Sequence, residues 1–215
     1  MEDLKKPVLD TDIYGITAQE YSLGRSNIEV VKDMIEAGIK LIQYREKESK
    51  SIRERYEECK KIRRLTKEAG VTFIINDYID IALLVGADGI HLGQDDLPIE
   101  EVRRLVGPDM IIGLSTHSPE QAQDAIKRGA DYIGVGPMFP TNTKKDVCDV
   151  VGLEYLDYVV KNHDIPFVVI GGIKLANIAQ VKKHGAKCFC LITEIVGSPN
   201  IKKTVQEIRN ILASV

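Results

Sequence analysis

The chain has little excess charge of either sign. Its 29 Lys and Arg stand against 32 Asp and Glu, a net charge of −3. That balance argues against a surface built for nucleic acid or anionic lipid. Long apolar runs are missing too, so no membrane-crossing segment is expected, and residues 1–10 lack the apolar core of a secretory leader. Cysteine is scarce: four residues, none in a C-x-x-C pair. Cys188 and Cys190 fall on one face of a predicted strand and are read as packing groups, because zinc would need more ligands at suitable spacing. After the first predicted strand the sequence reads Tyr14-Gly15-Ile16-Thr17-Ala18-Gln19, which lacks G-x-G-x-x-G and weakens a dinucleotide-binding reading. These absences leave a cytoplasmic protein of small-molecule chemistry as the expectation.

What is present is a repeated junction, a polar helix end followed by a small-residue step at glycine and then a short apolar run. The copies are Glu36-Ala37-Gly38, Glu68-Ala69-Gly70, Gly86-Ala87-Asp88, Gly129-Ala130-Asp131 and Gly185-Ala186-Lys187. A glycine there takes the left-handed cap that turns a helix at once into a strand. Such junctions along a chain predict parallel strands buried on both faces.

Eight strands are expected, at Ile13–Thr17, Lys40–Arg45, Thr72–Asn76, Gly89–Leu92, Met110–Leu114, Tyr132–Val135, Phe167–Ile170 and Cys188–Ile192. Helices are expected between them, at Asn27–Ala37, Ser51–Ala69, Ile79–Val85, from Pro98, from Ser118-Pro119, and at Leu153–Lys161 and Leu175–His184, with Ile201–Leu212 closing the chain. Eight strand–helix units in 215 residues match a single (βα)8 TIM barrel better than an open doubly wound sheet. The expected domain is 1–215, with 1–11 as an N-terminal extension.

In a barrel the working residues follow the strands. Those positions carry Gln43, Arg45, Lys47, Asn76, Asp77, Asp96, Ser115, Lys144, Gly172 and Thr193. The period of two places Leu41, Gln43, Arg45 and Lys47 on one face of the second strand, with Ile42 and Tyr44 toward the helices. Asp77 and Asp96 at adjacent strand ends suit a hard cation such as Mg²⁺, which takes few protein oxygens and shares phosphate oxygens; the competing reading is that each caps the next helix. Ser115 is read as a hydrogen-bonding group for substrate or leaving group, against a capping serine. The long stretch from Gly136 to Val151 has the length of a lid. Gly171-Gly172 and Ile192-Thr193 follow the last two strands, the usual phosphate site of this fold. Two anion sites in one mouth imply two phosphorylated substrates. His91 and His117 are read as packed or hydrogen-bonded residues.

Gln43-Tyr44-Arg45-Glu46-Lys47, Asn76-Asp77, Asp88 through Asp96, Gly136 through Lys144 and Gly171-Gly172-Ile173 together resemble the thiamine phosphate synthase family, over most of the chain. The resemblance implies condensation of 4-amino-2-methyl-5-hydroxymethylpyrimidine diphosphate with a thiazole phosphate, or its 2-carboxy form, releasing pyrophosphate. It assigns Gln43, Tyr44, Arg45, Glu46, Lys47, Asn76, Ser115 and Lys144 to the pyrimidine diphosphate. Asp77 and Asp96 become ligands of Mg²⁺. Thr141, Asn142, Thr143, Gly172, Ile192 and Thr193 go to the thiazole phosphate. Arg45, Lys47, Ser115 and Lys144 are the implied catalytic set. Two positions depart from the family: Thr193-Glu194 stands where a small pair is usual, and Tyr78 where arginine is frequent. The expected partners are small molecules only, with a homo-oligomer left open. A thiazole tautomerase relative, another phosphate-binding barrel isomerase and a non-catalytic regulator are the other readings. Two carboxylates beside Arg45, Lys47 and Lys144 argue against the first and last, and the isomerase lacks a placeable acid–base pair.

Overall fold

In the computed structural model, residues 9–46, 50–141 and 149–215 are described. Seven parallel strands follow one another in sequence order: β1 (Tyr14–Ile16), β2 (Leu41–Tyr44), β3 (Thr72–Asn76), β4 (Gly89–Leu92), β5 (Ile111–Thr116), β6 (Tyr132–Val135) and β7 (Phe167–Val169). Helices alternate with them: α1 (Asn27–Glu36), α2 (Ile52–Glu68), α3 (Ile79–Val85), α4 (Ile99–Val106), α5 (Pro119–Lys127), α6 (Gly152–Asn162), α7 (Ile178–Lys183), α8 (Ile192–Val196) and α9 (Ile201–Ala213). The barrel is closed by Phe189, which bridges Ile13 on one side and Val169 on the other. Its N–H donates to Asp12 O and its C=O accepts from Tyr14 N–H, both at 2.9 Å.

The expected eighth strand is therefore shorter than Cys188–Ile192. The chain turns helical at Ile192, so Thr193 and Glu194 lie in the first turn of α8. The fifth strand is longer than expected and carries Ser115 inside it. All five junction glycines, at 38, 70, 86, 129 and 185, have positive φ, between 63° and 92°. Ser118 caps α5 by accepting from Gln121 N–H, with Pro119 in its first turn.

Alternation along the strands sorts the apolar residues into two cores. Tyr14, Ile16, Leu41, Ile74, Tyr132, Val168, Cys188 and Cys190 fill the barrel. Ile42, Phe73, Ile90, Ile112 and Val169 face outward and pack against helix residues such as Met34, Ile62, Val102 and Val159. Each such side chain contributes about 1.5–3 kcal/mol on burial.

The strands' N-terminal ends are fastened by aspartate–arginine pairs. Asp88 accepts from Phe73 N–H at 2.8 Å and from both terminal nitrogens of Arg63 at 2.6 and 2.9 Å. Asp131 accepts from Ile112 N–H at 2.8 Å and from Arg103 at 2.5 Å. Arg209 on α9 holds Asp12 at 2.7 Å and the carbonyls of Ala37 and Gly38 at 2.8 and 3.1 Å. The aspartates of the repeated junction thus stitch strands to helices at the end opposite the mouth.

Candidate active site at the barrel mouth

β2 delivers the first cluster. Thr17 is fully buried and ties the end of β1 to Arg45: its hydroxyl accepts from Arg45 N–H at 2.9 Å and donates to Arg45 O at 3.1 Å. The Arg45 guanidinium leans inward, where its charge opposes the rise that burial gives the Cys190 thiol. Its Nη2 is shut off from solvent and meets no hydrogen-bond partner among the described residues. A buried guanidinium N–H left unmade is costly, and an anion is its natural complement.

Tyr44 and Glu46, assigned to the pyrimidine substrate by the family resemblance, both bond to the helix layer. Tyr44 faces the helix layer, as the strand period requires, and donates to Glu58 at 2.7 Å. Glu46 accepts from Asn27 at 2.6 Å and faces Lys50 at 3.5 Å, and Lys50 also pairs with Glu58 at 2.7 Å. This mostly buried group anchors the loop that carries Arg45. Lys47, Asn142, Thr143 and Lys144 lie outside the described residues.

β3 ends in a strained turn. Asp77 has φ +62°, and Tyr78 N–H donates to Asn76 O at 2.7 Å, which closes a three-residue turn about Asp77. Non-glycine residues adopt such turns rarely, and strain of this kind concentrates at functional sites. Asp77 does not cap α3, whose N-cap is Tyr78 with no side-chain bond. Asp96 does not cap α4 either: its Oδ2 accepts from Gly93 N–H at 2.6 Å and closes the turn after β4. Asp77 N–H donates to His91 O at 3.0 Å, which keeps the β3 and β4 ends side by side. Among the described residues no group of three or more His, Cys, Asp or Glu could hold a metal ion. Two carboxylates alone could hold a hard cation only if water and phosphate oxygens completed its shell. Tyr78, where the family often has arginine, is itself covered by one: the Arg55 guanidinium lies 4.7 Å from its ring centroid and also bonds its hydroxyl.

Ser115 on β5 sits beneath the mouth with its Oγ 2.9 Å from His91 Nε2. Gln94 Nε2 donates to Ser115 O at 2.6 Å, tying the loop after β4 to β5. The other ring nitrogen of His91 meets the buried Tyr132 hydroxyl at 2.9 Å. His91 and Tyr132 were not singled out as site residues by the sequence. The signal that could have found them is mid-strand glycine, which marks close approach. A Cβ on Gly113 would lie 2.1 Å from Tyr132 Cζ, so only glycine lets that ring cross the barrel. His117 is held by Gly136 O at 2.6 Å, the hydrogen-bonded role expected of it.

On the far side of the mouth, Gly171 and Gly172 have φ +97° and +64°. A Cβ on Gly172 would meet the carbonyls of Phe139 and Pro140, both at 2.7 Å. Phe139 N–H donates to Gly171 O at 3.0 Å, so the stretch after β6 lies directly on the stretch after β7. Thr141 follows at once. Ile192 and Thr193 open α8, which no side chain caps. Glu194 lies in the same first turn, where the helix dipole favours a carboxylate.

The sequence model of the family described as thiamine monophosphate synthase matches residues 13–195. The chain is 68% identical over 206 residues to the thiamine-phosphate synthase of Pelotomaculum thermopropionicum, covering 96% of this chain and 94% of that protein. It is 58% identical over 201 residues to the enzyme of the same name from Lawsonia intracellularis, covering 94% and 92%. Among solved structures, the thiamine phosphate pyrophosphorylase of Pyrococcus furiosus superposes with a TM-score of 0.85 at 38% identity, over 94% of this chain and 96% of that one.

Proposed function

Because this chain belongs to the thiamine monophosphate synthase family, we propose that the mouth just described carries out that family's condensation through its own strand-end residues. The substrates are 4-amino-2-methyl-5-hydroxymethylpyrimidine diphosphate and 4-methyl-5-(2-phosphoethyl)thiazole or its 2-carboxy form. The C–O bond between the pyrimidine methylene and the diphosphate breaks, and pyrophosphate leaves with the electron pair. The aminopyrimidine ring supports the positive methylene left behind, and the thiazole nitrogen closes a C–N bond on it. The product is thiamine phosphate. No protein nucleophile takes part.

Charge placement is the protein's contribution. Arg45, Lys47 and Lys144 face the charge that develops on pyrophosphate, as preorganised donors in a water-poor site do. Gln43, Asn76 and Ser115 orient the pyrimidine diphosphate. Asp77 and Asp96 would hold Mg²⁺, which would supply further positive charge for the leaving pyrophosphate. Thr141, Asn142, Thr143, Gly172, Ile192 and Thr193 take the thiazole phosphate, the last two through backbone N–H groups at the start of α8.

The observation that carries this reading is the buried Nη2 of Arg45 at the end of β2, which meets no hydrogen-bond partner among the described residues. Asp77→Ala and Asp96→Ala are expected to abolish turnover and to weaken diphosphate binding far more than thiazole-phosphate binding. Calorimetric titration of Mg²⁺ in the presence of pyrophosphate decides. Unchanged Mg²⁺ affinity in both variants would remove the metal site from the reading.

A further inference from the structure

A line of five hydrogen-bonding side chains crosses the barrel interior. Gln43 Nε2 donates to Tyr14 OH at 2.9 Å. The Tyr14 and Tyr132 hydroxyls are 2.8 Å apart. Tyr132 OH meets His91 Nδ1 at 2.9 Å, and His91 Nε2 meets Ser115 Oγ at 2.9 Å. Gln43, Tyr14 and Tyr132 are at most 2% exposed and His91 is 9% exposed. Water is therefore in no position to take over any of the interior links.

Each phenol carries one proton, and burial holds both phenols protonated, far above the ordinary tyrosine range. A neutral imidazole carries one proton on one of its two nitrogens. If every proton of the line is spent inside it, so that no buried hydroxyl is left without an acceptor, only two directions are open. With the Gln43 amide donating at one end, Tyr14 accepts there and must donate to Tyr132. Tyr132 then donates to His91 Nδ1, so the imidazole proton sits on Nε2 and is given to Ser115. Ser115 Oγ, having accepted, turns its own proton elsewhere.

We propose that Gln43 sets the direction of this line as a positioning residue, and that the line leaves the Ser115 hydroxyl as a hydrogen-bond donor to an anionic ligand in the mouth. The ligand half of this inference rests on the diphosphate reading above. Diphosphate oxygens offer only lone pairs, so a hydroxyl serves them when its proton is free to point outward. In the opposite direction Ser115 would give its proton to His91 and turn lone pairs toward the anion. That opposite arrangement is also the nucleophile–base geometry of acyl transfer. The amide of Gln43, three side chains away, keeps a serine–histidine contact from working in that way.

The test reads the ring protons of His91 by long-range ¹H–¹⁵N spectroscopy at about pH 8, where an ordinary histidine is neutral. His91→Leu identifies which of the four histidine patterns belongs to it. The wild type is expected to show the proton on Nε2. Gln43→Glu puts an acceptor where the donor was, and the proton is expected to move to Nδ1. In the double variant Gln43→Glu/Tyr132→Phe the line is cut and the reversal is lost. A wild-type proton on Nδ1, or a tautomer indifferent to Gln43→Glu, overturns the proposal. Should Gln43→Glu not fold, Gln43→Met removes the donor without adding charge. The single tautomer then becomes a mixture, and a single tautomer retained overturns the proposal equally. Inorganic pyrophosphate with Mg²⁺ is the probe for the ligand half. Ser115→Ala is expected to weaken its binding about tenfold, the scale of one hydrogen bond to a charged group. Unchanged affinity would overturn the donor role of Ser115, whatever the tautomer. Failure of the diphosphate reading itself looks different: the wild type would bind no pyrophosphate at all.

Discussion

Gly113→Ala is the substitution whose effect the geometry specifies most sharply. The added methyl would lie 2.1 Å from Tyr132 Cζ, 2.4 Å from Cε1 and 2.5 Å from the hydroxyl, where ordinary contact begins at 3.4 Å. Tyr132 is fully buried, so its ring cannot swing into solvent. Overpacking of this degree costs about 1–3 kcal/mol. Moving the ring also breaks the hydroxyl's bonds to Tyr14 and His91, each contributing about 0.5–1.5 kcal/mol. A loss of about 2–6 kcal/mol is expected, which lowers Tm by about 2–4 °C for each kcal/mol in a chain of this size. Urea unfolding of wild type and variant measures it. The same substitution in a Tyr132→Leu background meets no ring and should cost under about 1 kcal/mol. An equal cost in both backgrounds, or a cost below about 1 kcal/mol in the wild type, would refute the claim that Gly113 exists to let Tyr132 pass.

The other predictions are more local. Lys144→Ala should lower kcat, because leaving-group charge is met in the transition state, while Thr143→Ala should raise the KM for the thiazole; steady-state kinetics with each substrate varied in turn decides, and the reverse pattern would mean the stretch after β6 is misassigned. The hydrogen-bonded Arg128 guanidinium holds the Glu100 carboxyl down to about 2 from an ordinary 4.5. Its contribution to stability is therefore present above pH 4.5 and lost as pH falls toward 2; Arg128→Ala should return the carboxyl toward its ordinary value in an NMR titration. Burial pushes the Cys188 thiol up to about 12 and raises Cys59 and Cys190 as well. These three should resist a thiol reagent in the native protein at pH 8 and react on unfolding, read by mass spectrometry; rapid native labelling of any of them would contradict the packing.

Most of the barrel was legible because parallel strands announce themselves locally. Gly89–Leu92 and Tyr132–Val135 run as expected, since glycine junctions and apolar runs mark both ends. The eighth strand was misjudged at its end. Cys190, Leu191 and Ile192 are all apolar, and nothing in the sequence says that pairing with Val169 stops after Cys190. The fifth strand outran its expected end because Thr116, whose hydroxyl donates to Gly134 O at 2.8 Å, behaves there as a strand residue. At the mouth, the strand ends name candidate side chains, while the period of two puts Tyr44 on the other face. The interior line escaped entirely: Tyr14 and Tyr132 are 118 residues apart, and periodicity reports the face of a residue, never its partner.

The seam at Phe189 bears on how this chain is made. Emerging from the ribosome, the first strand has no lasting neighbour on its outer side until residue 189 follows it. The clasp from Arg209 to Asp12 spans 197 positions and comes later still. Contacts of such sequence separation form slowly, after loop entropy has been overcome. Until then β1 and β7 are open edges that another chain's strand can join. A product ending before Phe189 could carry nearly every mouth residue and still have no way to close.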